Sequence, residues 1–380
     1  MPKSNLKKSL AVMLALFAAL ALSTGHARSR PVAQIAADQS DSADSTDKTA
    51  KRKMRSAKVA RAPVNEQLGS PRTVRRSTLA KYRTLRRGGA RVALGPRLIE
   101  PAKPSIGQVI GLHSVEDPLD LRSSVALVID QRNGNTLFEK NASAVLPIAS
   151  ITKLMTAMVV LDALQPTQEM LEITDADIDT ERNSRSKLRM GSKLSRGELM
   201  QLALMASENR AANALGRHYP GGLAPFVDAM NAKADSLGMK DSAFADPTGL
   251  SSRNVSNAQD LAKLVRAAAE YPAIRQYSTT PELTVVAGYR PLSFRNTNRL
   301  IKSPDWQIGL SKTGYITEAG NCLVMQTSID GRPVIMVLLD AIGRLSRFAD
   351  AQRIKHWLET APLKGPLPAK MTVNQASPRS

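Results

Sequence analysis

Pro147-Ile148-Ala149-Ser150-Ile151-Thr152-Lys153-Leu154 is the stretch on which the reading of this chain turns. Ser150 stands where a helical pattern begins, and that pattern runs from Ile151 to Leu164, rich in Met, Leu, Ala and Val. A helix N-terminus presents a positive dipole end and free amides, which favour a developing oxyanion nearby. Lys153 comes three residues later, on the same face and one turn on. A serine needs a base to become a nucleophile, and a desolvated lysine can serve. Burial and a neighbouring cation would both lower the pKa of such a lysine. Alone the pattern is weak, because an N-cap followed by a surface lysine has the same letters.

Upstream, Ser124 to Ile129 is apolar and β-branched, Asn133-Gly134 predicts a type I′ turn, and Thr136 to Glu139 alternates as a return strand. Regular structure is expected to begin near Val115. Downstream, Ser195-Arg196-Gly197-Glu198 is a capping box opening a helix through Met205. Asn209 to His218 continues helically until Pro220-Gly221-Gly222, and another helix runs from about Leu223 to Leu237, stopping at Gly238. Ser256-Asn257-Ala258-Gln259 caps a helix that ends before Pro272. Strands then return: Trp306 to Thr313, and a hairpin of Cys322 to Ile329 with Val334 to Leu339 across Asp330-Gly331. An amphipathic helix closes the pattern at about Ser346 to Leu358. Strands, a helical block, strands and a last helix predict an α/β (α+β) fold. In it an antiparallel sheet joins the first strands to the last and packs on an all-helical region.

Two further stretches carry polar chemistry. Ser207-Glu208-Asn209 falls at an interruption between helical segments, where side chains can point into a cleft. Lys312-Thr313-Gly314 ends the Trp306 strand and offers a cation, a hydroxyl and room for a substrate backbone. Together, in this order and these contexts, Ser-x-x-Lys, Ser-x-Asn and Lys-Thr-Gly resemble the triple signature of penicillin-binding proteins and serine β-lactamases. The resemblance runs from about Ser123 to Leu358 and is to the low-molecular-mass D-alanyl-D-alanine peptidases, with a β-lactamase/transpeptidase-like fold. It is nearest the endopeptidase branch, through Pro147 to Ser150, Leu154 to Asp162, Leu202 to Ala212, His218 to Gly222 and Phe294 to Asn298. It implies a serine peptidase that cuts D-alanyl peptide bonds through an acyl-enzyme on Ser150. Lys153 and Ser207 would be catalytic, and Asn209, Lys312, Thr313 and Gly314 substrate-binding. Peptidoglycan stem peptides and cross-links would be substrates and β-lactams covalent inhibitors, with no cofactor and no metal. Glu208 departs from the Asp or Gly common in the wider family at that position. A second departure is a long basic arm, which the family core does not need.

Other hydrolase classes fit these residues less well. Three histidines in the mature chain, His113, His218 and His356, give no His-Glu-x-x-His helix for a metalloprotease, and Ser150 lacks a nucleophile-elbow context. A class A β-lactamase needs an additional glutamate for deacylation. The corresponding stretch is Ala245-Asp246-Pro247-Thr248-Gly249, without a Glu-x-x-Leu-Asn segment. Carboxypeptidase remains the alternative to endopeptidase, since both cleave after D-alanine. The Pro-rich, non-amphipathic residues after Leu358 resemble the endopeptidase branch.

The chain has 380 residues and a net charge of +20, of which +13 lies between Arg28 and Lys103. Lys3, Lys7 and Lys8, an apolar run from Leu10 to Leu22 and Gly25-His26-Ala27 predict a cleaved signal peptide over 1–27, with an uncleaved anchor as the alternative. The expected organisation is then a basic arm over 28–105, the peptidase domain over 106–362 and a flexible tail over 363–380, in the periplasm. The arm is read either as a spacer or as a tether to anionic envelope polymers or a membrane surface. Export excludes nucleic acid as its partner. Cys322 is the only cysteine, so stability must come from a core and not from disulfides.

Overall fold

A capping box starts the order of this chain earlier than the apolar pattern suggests. In the computed structural model, which describes residues 103–360 and 371–373, Ser105 and Gln108 cap helix α1 (Ile106–Val109) reciprocally. Regular structure thus begins before Val115. The predicted signal peptide and nearly all of the predicted arm lie outside the described residues.

Strands β1 (Ser123–Asp130) and β2 (Thr136–Lys140) form the first hairpin. Its turn is not the two-residue type I′ expected at Asn133-Gly134. Only Gly134 is left-handed, and the turn closes as a longer loop in which the Gly134 amide donates to Asp130 O and the Asp130 amide to Asn135 O. After β3 (Leu146–Pro147) comes a 3-10 turn over Ala149–Thr152, which leads into helix α2 (Lys153–Asp162). The small hairpin β4 (Met170–Glu172) and β5 (Lys193–Ser195) precedes the helical block. That block comprises α3 (Arg196–Met205), α4 (Asn209–Arg217), α5 (Leu223–Ser236), a two-residue strand β6 (Val255–Ser256), α6 (Ala258–Ala268) and α7 (Pro272–Thr279). The predicted caps are present at Ser195 and Asn257, and Gly238 is left-handed just past α5.

Pro272 does not simply end a helix. It is the first residue of α7, where its missing amide proton costs nothing. A further element with no assignment from the sequence is the hairpin β7 (Glu282–Ala287) and β8 (Arg290–Arg295), which turns at Gly288-Tyr289. The chain ends with β9 (Gln307–Ile316), β10 (Gly320–Ile329), β11 (Arg332–Ala341), α8 (Ser346–Thr360) and β12 (Met371–Val373). Asp330 and Gly331 are both left-handed, as a type I′ turn requires. β12 falls inside the predicted flexible tail and pairs parallel with β2.

The main sheet has the order β12-β2-β1-β11-β10-β9, so the first strand lies against the penultimate elements of the chain, Val125 opposite Leu339. Both faces are covered, which explains why the central strands read as continuous apolar runs. Alternate residues of β1, β10 and β11 (Leu127, Val324, Val337) pack toward α2 and α6. Their neighbours (Val128, Met325, Met336) pack on Phe348, Ile354 and Leu358 of α8. β9 lies at the edge beside the helical block, and the 3-10 turn of Ser150 packs against it.

Candidate active site

Ala149 takes the left-handed conformation at φ 48°, unusual for a residue with a Cβ. That bend brings Ser150 to the lip of a cleft of about 1160 Å³ which Ser207, Asn209, Thr313 and Gly314 also line. Two glycines let other chain segments close on this turn. A Cβ on Gly314 would lie 3.2 Å from the Ser150 amide nitrogen, and one on Gly249 would lie 2.0 Å from the Ala149 carbonyl oxygen. Gly249, left-handed at φ 78°, has no counterpart in the sequence motifs, because its partner is a carbonyl one hundred residues away in the chain.

Lys153 opens α2 and is fully buried. Its Nζ lies 2.9 Å from Ser150 Oγ, 2.7 Å from Asn209 Oδ1 and 2.5 Å from Thr248 O. Asn209 is held in that orientation by donating its Nδ2 to Ser184 Oγ at 2.9 Å. Burial lowers the Lys153 pKa to about 7, against smaller opposing attractions from Asp246, Glu208 and Asp179. Close to neutral pH the amine is therefore available as a proton acceptor, 2.9 Å from the hydroxyl it would activate. Glu208, next to Ser207 in the chain, has its pKa raised by burial.

Lys312 occupies the opposite wall. It is buried, and its Nζ donates to Ser207 Oγ at 3.0 Å and to Thr313 O at 2.8 Å. Ser207 is another left-handed residue, φ 59°, in the break between α3 and α4. Burial holds the Lys312 pKa well below the ordinary lysine range, and the charges of Lys153 and Arg347 push the same way. The two buried amines repel, so a charge on Lys153 disfavours one on Lys312. Thr313 donates its hydroxyl to Thr297 Oγ1 at 2.7 Å, and Asn298 donates to Ser311 Oγ at 2.8 Å. The Phe294 to Asn298 segment thereby supports the strand of Lys312.

All seven residues singled out in the sequence converge on this cleft. Thr248, Gly249, Ser184 and Thr297 join them; Thr297 belongs to the Phe294 to Asn298 stretch already noted, and no motif in the sequence assigned a site role to any of the four. The histidines do not take part. His218 caps α4 through Ala214 O. His113 meets Asp340 at 3.1 Å and Ser124 elsewhere in the fold, but Ser124 is wholly buried and donates to Asp340, which makes the group a clamp between strands. Asp246 occupies the stretch compared above with the β-lactamase glutamate. It has both oxygens engaged: Oδ1 accepts from the Thr248 and Gly249 amides, and Oδ2 from the Ser251 amide. A carboxylate so occupied is not placed to activate water.

A serine one turn before a buried lysine, on a helical block beside an antiparallel sheet, defines the β-lactamase/transpeptidase-like class. The crystal structure of the Streptomyces K15 DD-transpeptidase matches with a TM-score of 0.60 at 26% identity, covering 64% of this chain and 98% of that one. Penicillin-binding protein D2 from Listeria monocytogenes, in a cefotaxime-bound form, matches with a TM-score of 0.55 at 30% identity, covering 63% and 98%. A D-alanyl-D-alanine endopeptidase of Pseudomonas aeruginosa is 52% identical over 243 residues, 63% of this chain and 78% of the relative. The family model for D-alanyl-D-alanine carboxypeptidase matches residues 112–343, and this chain belongs to that family of serine peptidases.

Proposed function

We propose that this protein is a D-alanyl-D-alanine endopeptidase, opening peptide cross-links of peptidoglycan through an acyl-enzyme on Ser150. The observation that carries the chemistry is the 2.9 Å approach of Lys153 Nζ to Ser150 Oγ at a lysine whose pKa is lowered to about 7. Neutral Lys153 takes the hydroxyl proton as Oγ attacks the D-alanyl carbonyl. Lys153 passes that proton on, by way of Ser207, which Lys312 holds at 3.0 Å, to the departing amine, so that Lys153 is again a free base when water attacks. Water then hydrolyses the ester and restores Ser150. Lys312 and Thr313 receive a carboxylate of the substrate, and that negative charge favours the ammonium form of Lys312 against the burial that disfavours it. β-Lactams enter the same path and leave slowly, because Asp246 is not free to activate water. Endopeptidase is favoured over carboxypeptidase by the 52% identity to the Pseudomonas endopeptidase. The proposal includes export to the periplasm by residues 1–27 and a separate arm over 28–105, on the sequence alone. The test is digestion of purified cross-linked muropeptide dimers beside a pentapeptide monomer. Dimers should yield monomers faster than the pentapeptide loses its terminal D-alanine; the reverse preference would make the enzyme a carboxypeptidase.

A further inference from the structure

The segment from Asp246 to Asn254 is stitched to the nucleophile's turn at every available point. Thr248 O receives Lys153 Nζ at 2.5 Å, and Pro247 O receives Thr156 Oγ1 at 2.7 Å. Asn254 O receives the Ile148 amide at 3.0 Å, and Gly249 presses on Ala149. Asp246 holds this segment in shape. Its Oδ1 accepts from the Thr248 amide at 2.6 Å, the Thr248 hydroxyl at 2.5 Å and the Gly249 amide at 2.8 Å. Its Oδ2 accepts from the Ser251 amide at 3.1 Å and Asn254 Nδ2 at 2.5 Å. Five donors around one carboxylate fix the direction of the Thr248 carbonyl, and a carbonyl pointed at Nζ fixes where the amine sits. The Lys153 amine has no rotational freedom left once Ser150, Asn209 and Thr248 are all engaged.

We propose that Asp246 is a positioning residue for acylation: by gripping the segment that carries Thr248 it aims the Thr248 carbonyl at the Lys153 amine, and it holds in that segment a negative charge that favours the ammonium over the free base. The groups facing Lys153 are Ser150 from its own turn, Asn209 and Glu208 from the start of α4, Asp179 from the loop before β5, Asp246 and Thr248 from this segment, and Lys312 from β9. Among the carboxylates that favour the ammonium form, Asp246 stands first. Glu208 comes next, and burial raises the pKa of its own carboxyl. The Thr248 carbonyl favours the ammonium too, because a hydrogen bond from a charged donor is the stronger one.

The inference rests on Lys153 being the base for Ser150, and the experiment separates the two claims. Acylation by a fluorescent penicillin is followed from pH 5 to 9 in the wild type, Asp246→Asn and Asp246→Glu. The wild-type rate should rise with pH through about 7; a flat profile would remove the base assignment itself. Asp246→Asn keeps the size, loses the charge and turns an NH2 toward groups that are themselves donors, so its plateau should fall as well; its midpoint should fall by about one pH unit, which at pH 6 raises the rate relative to its own plateau about fivefold. Asp246→Glu keeps the charge and disturbs the segment. It should lose plateau rate and keep the wild-type midpoint, a split that a merely structural role does not give. If Asp246→Asn fails to fold, Asp246→Ser removes the same charge in a smaller side chain. A wild-type or raised midpoint in the uncharged variants, with the wild-type limb intact, overturns the role of Asp246 and leaves that of Lys153 standing.

Discussion

An ammonium cannot accept a proton, so the question at the residue scale is what keeps Lys153 uncharged. Full burial lowers its pKa to about 7. The sign follows directly: below that pH the amine is protonated and acylation slows, above it the amine is free and the rate reaches a plateau. Lys153→Arg keeps a cation, loses the base, and should lower kcat/KM by at least about 100-fold, as loss of a general base does; a rate within a few-fold of wild type would assign the base elsewhere. Lys312→Ala should slow penicillin acylation by roughly 10- to 100-fold, the equivalent of a hydrogen bond to a charged group at about 1.5–3 kcal/mol. Rates at the wild-type level on penicillin, on a terminal D-alanyl-D-alanine peptide and on a cross-linked dimer would remove Lys312 from substrate binding. Ser150, Lys153, Ser207, Asn209, Lys312, Thr313 and Gly314 were legible because each belongs to a short motif whose members sit on one turn or one strand end. Thr248 was not, because what it contributes is a backbone carbonyl, which any residue could supply.

At the scale of elements, caps and tight turns were the legible features. Ser195 with Glu198, Asn257 and the Asp330-Gly331 turn stand where local chemistry requires them. Asn133-Gly134 misled because a neighbouring carbonyl, Asp130 O, takes the Gly134 amide and lengthens the loop. Helix α7 and the β7–β8 hairpin were missed for a related reason. A proline opens the first, where it reads as a stop, and the second buries chiefly Val285 and Phe294, which leaves little periodic pattern. The element with most consequence for the site is the Asp246 to Asn254 segment, which depends on Gly249. Gly249→Ala combines a left-handed Cβ with a clash against the Ala149 carbonyl, and should destabilise the fold by on the order of 3 kcal/mol. Thermal unfolding together with penicillin labelling reads both effects; an unchanged Tm with normal labelling would show that the turn yields without cost.

Over the whole molecule, the charge is unevenly spread: of the net +20, +13 lies between Arg28 and Lys103, and every described helix and strand lies C-terminal to that stretch. A protein lacking residues 28–103 should therefore cleave soluble muropeptides at the rate of the full chain. Its binding to intact sacculi should weaken at low salt, and the lost portion should be the salt-sensitive one. Equal sacculus binding with and without the arm would reduce that arm to a spacer. The joining of β1 to β11 was legible in the order of strands and helices, because apolar strands at both ends of a helical block bury their faces most fully in one shared sheet. The central claim is that one serine carries the acyl group. It is tested most directly by incubating the protein with penicillin, digesting it and locating the adduct by mass spectrometry, beside Ser150→Ala treated identically. The account predicts a single adduct on the peptide containing Ser150 in the wild type, and neither adduct nor dimer cleavage in the variant. An adduct at another residue, or cleavage that survives in Ser150→Ala, would contradict it.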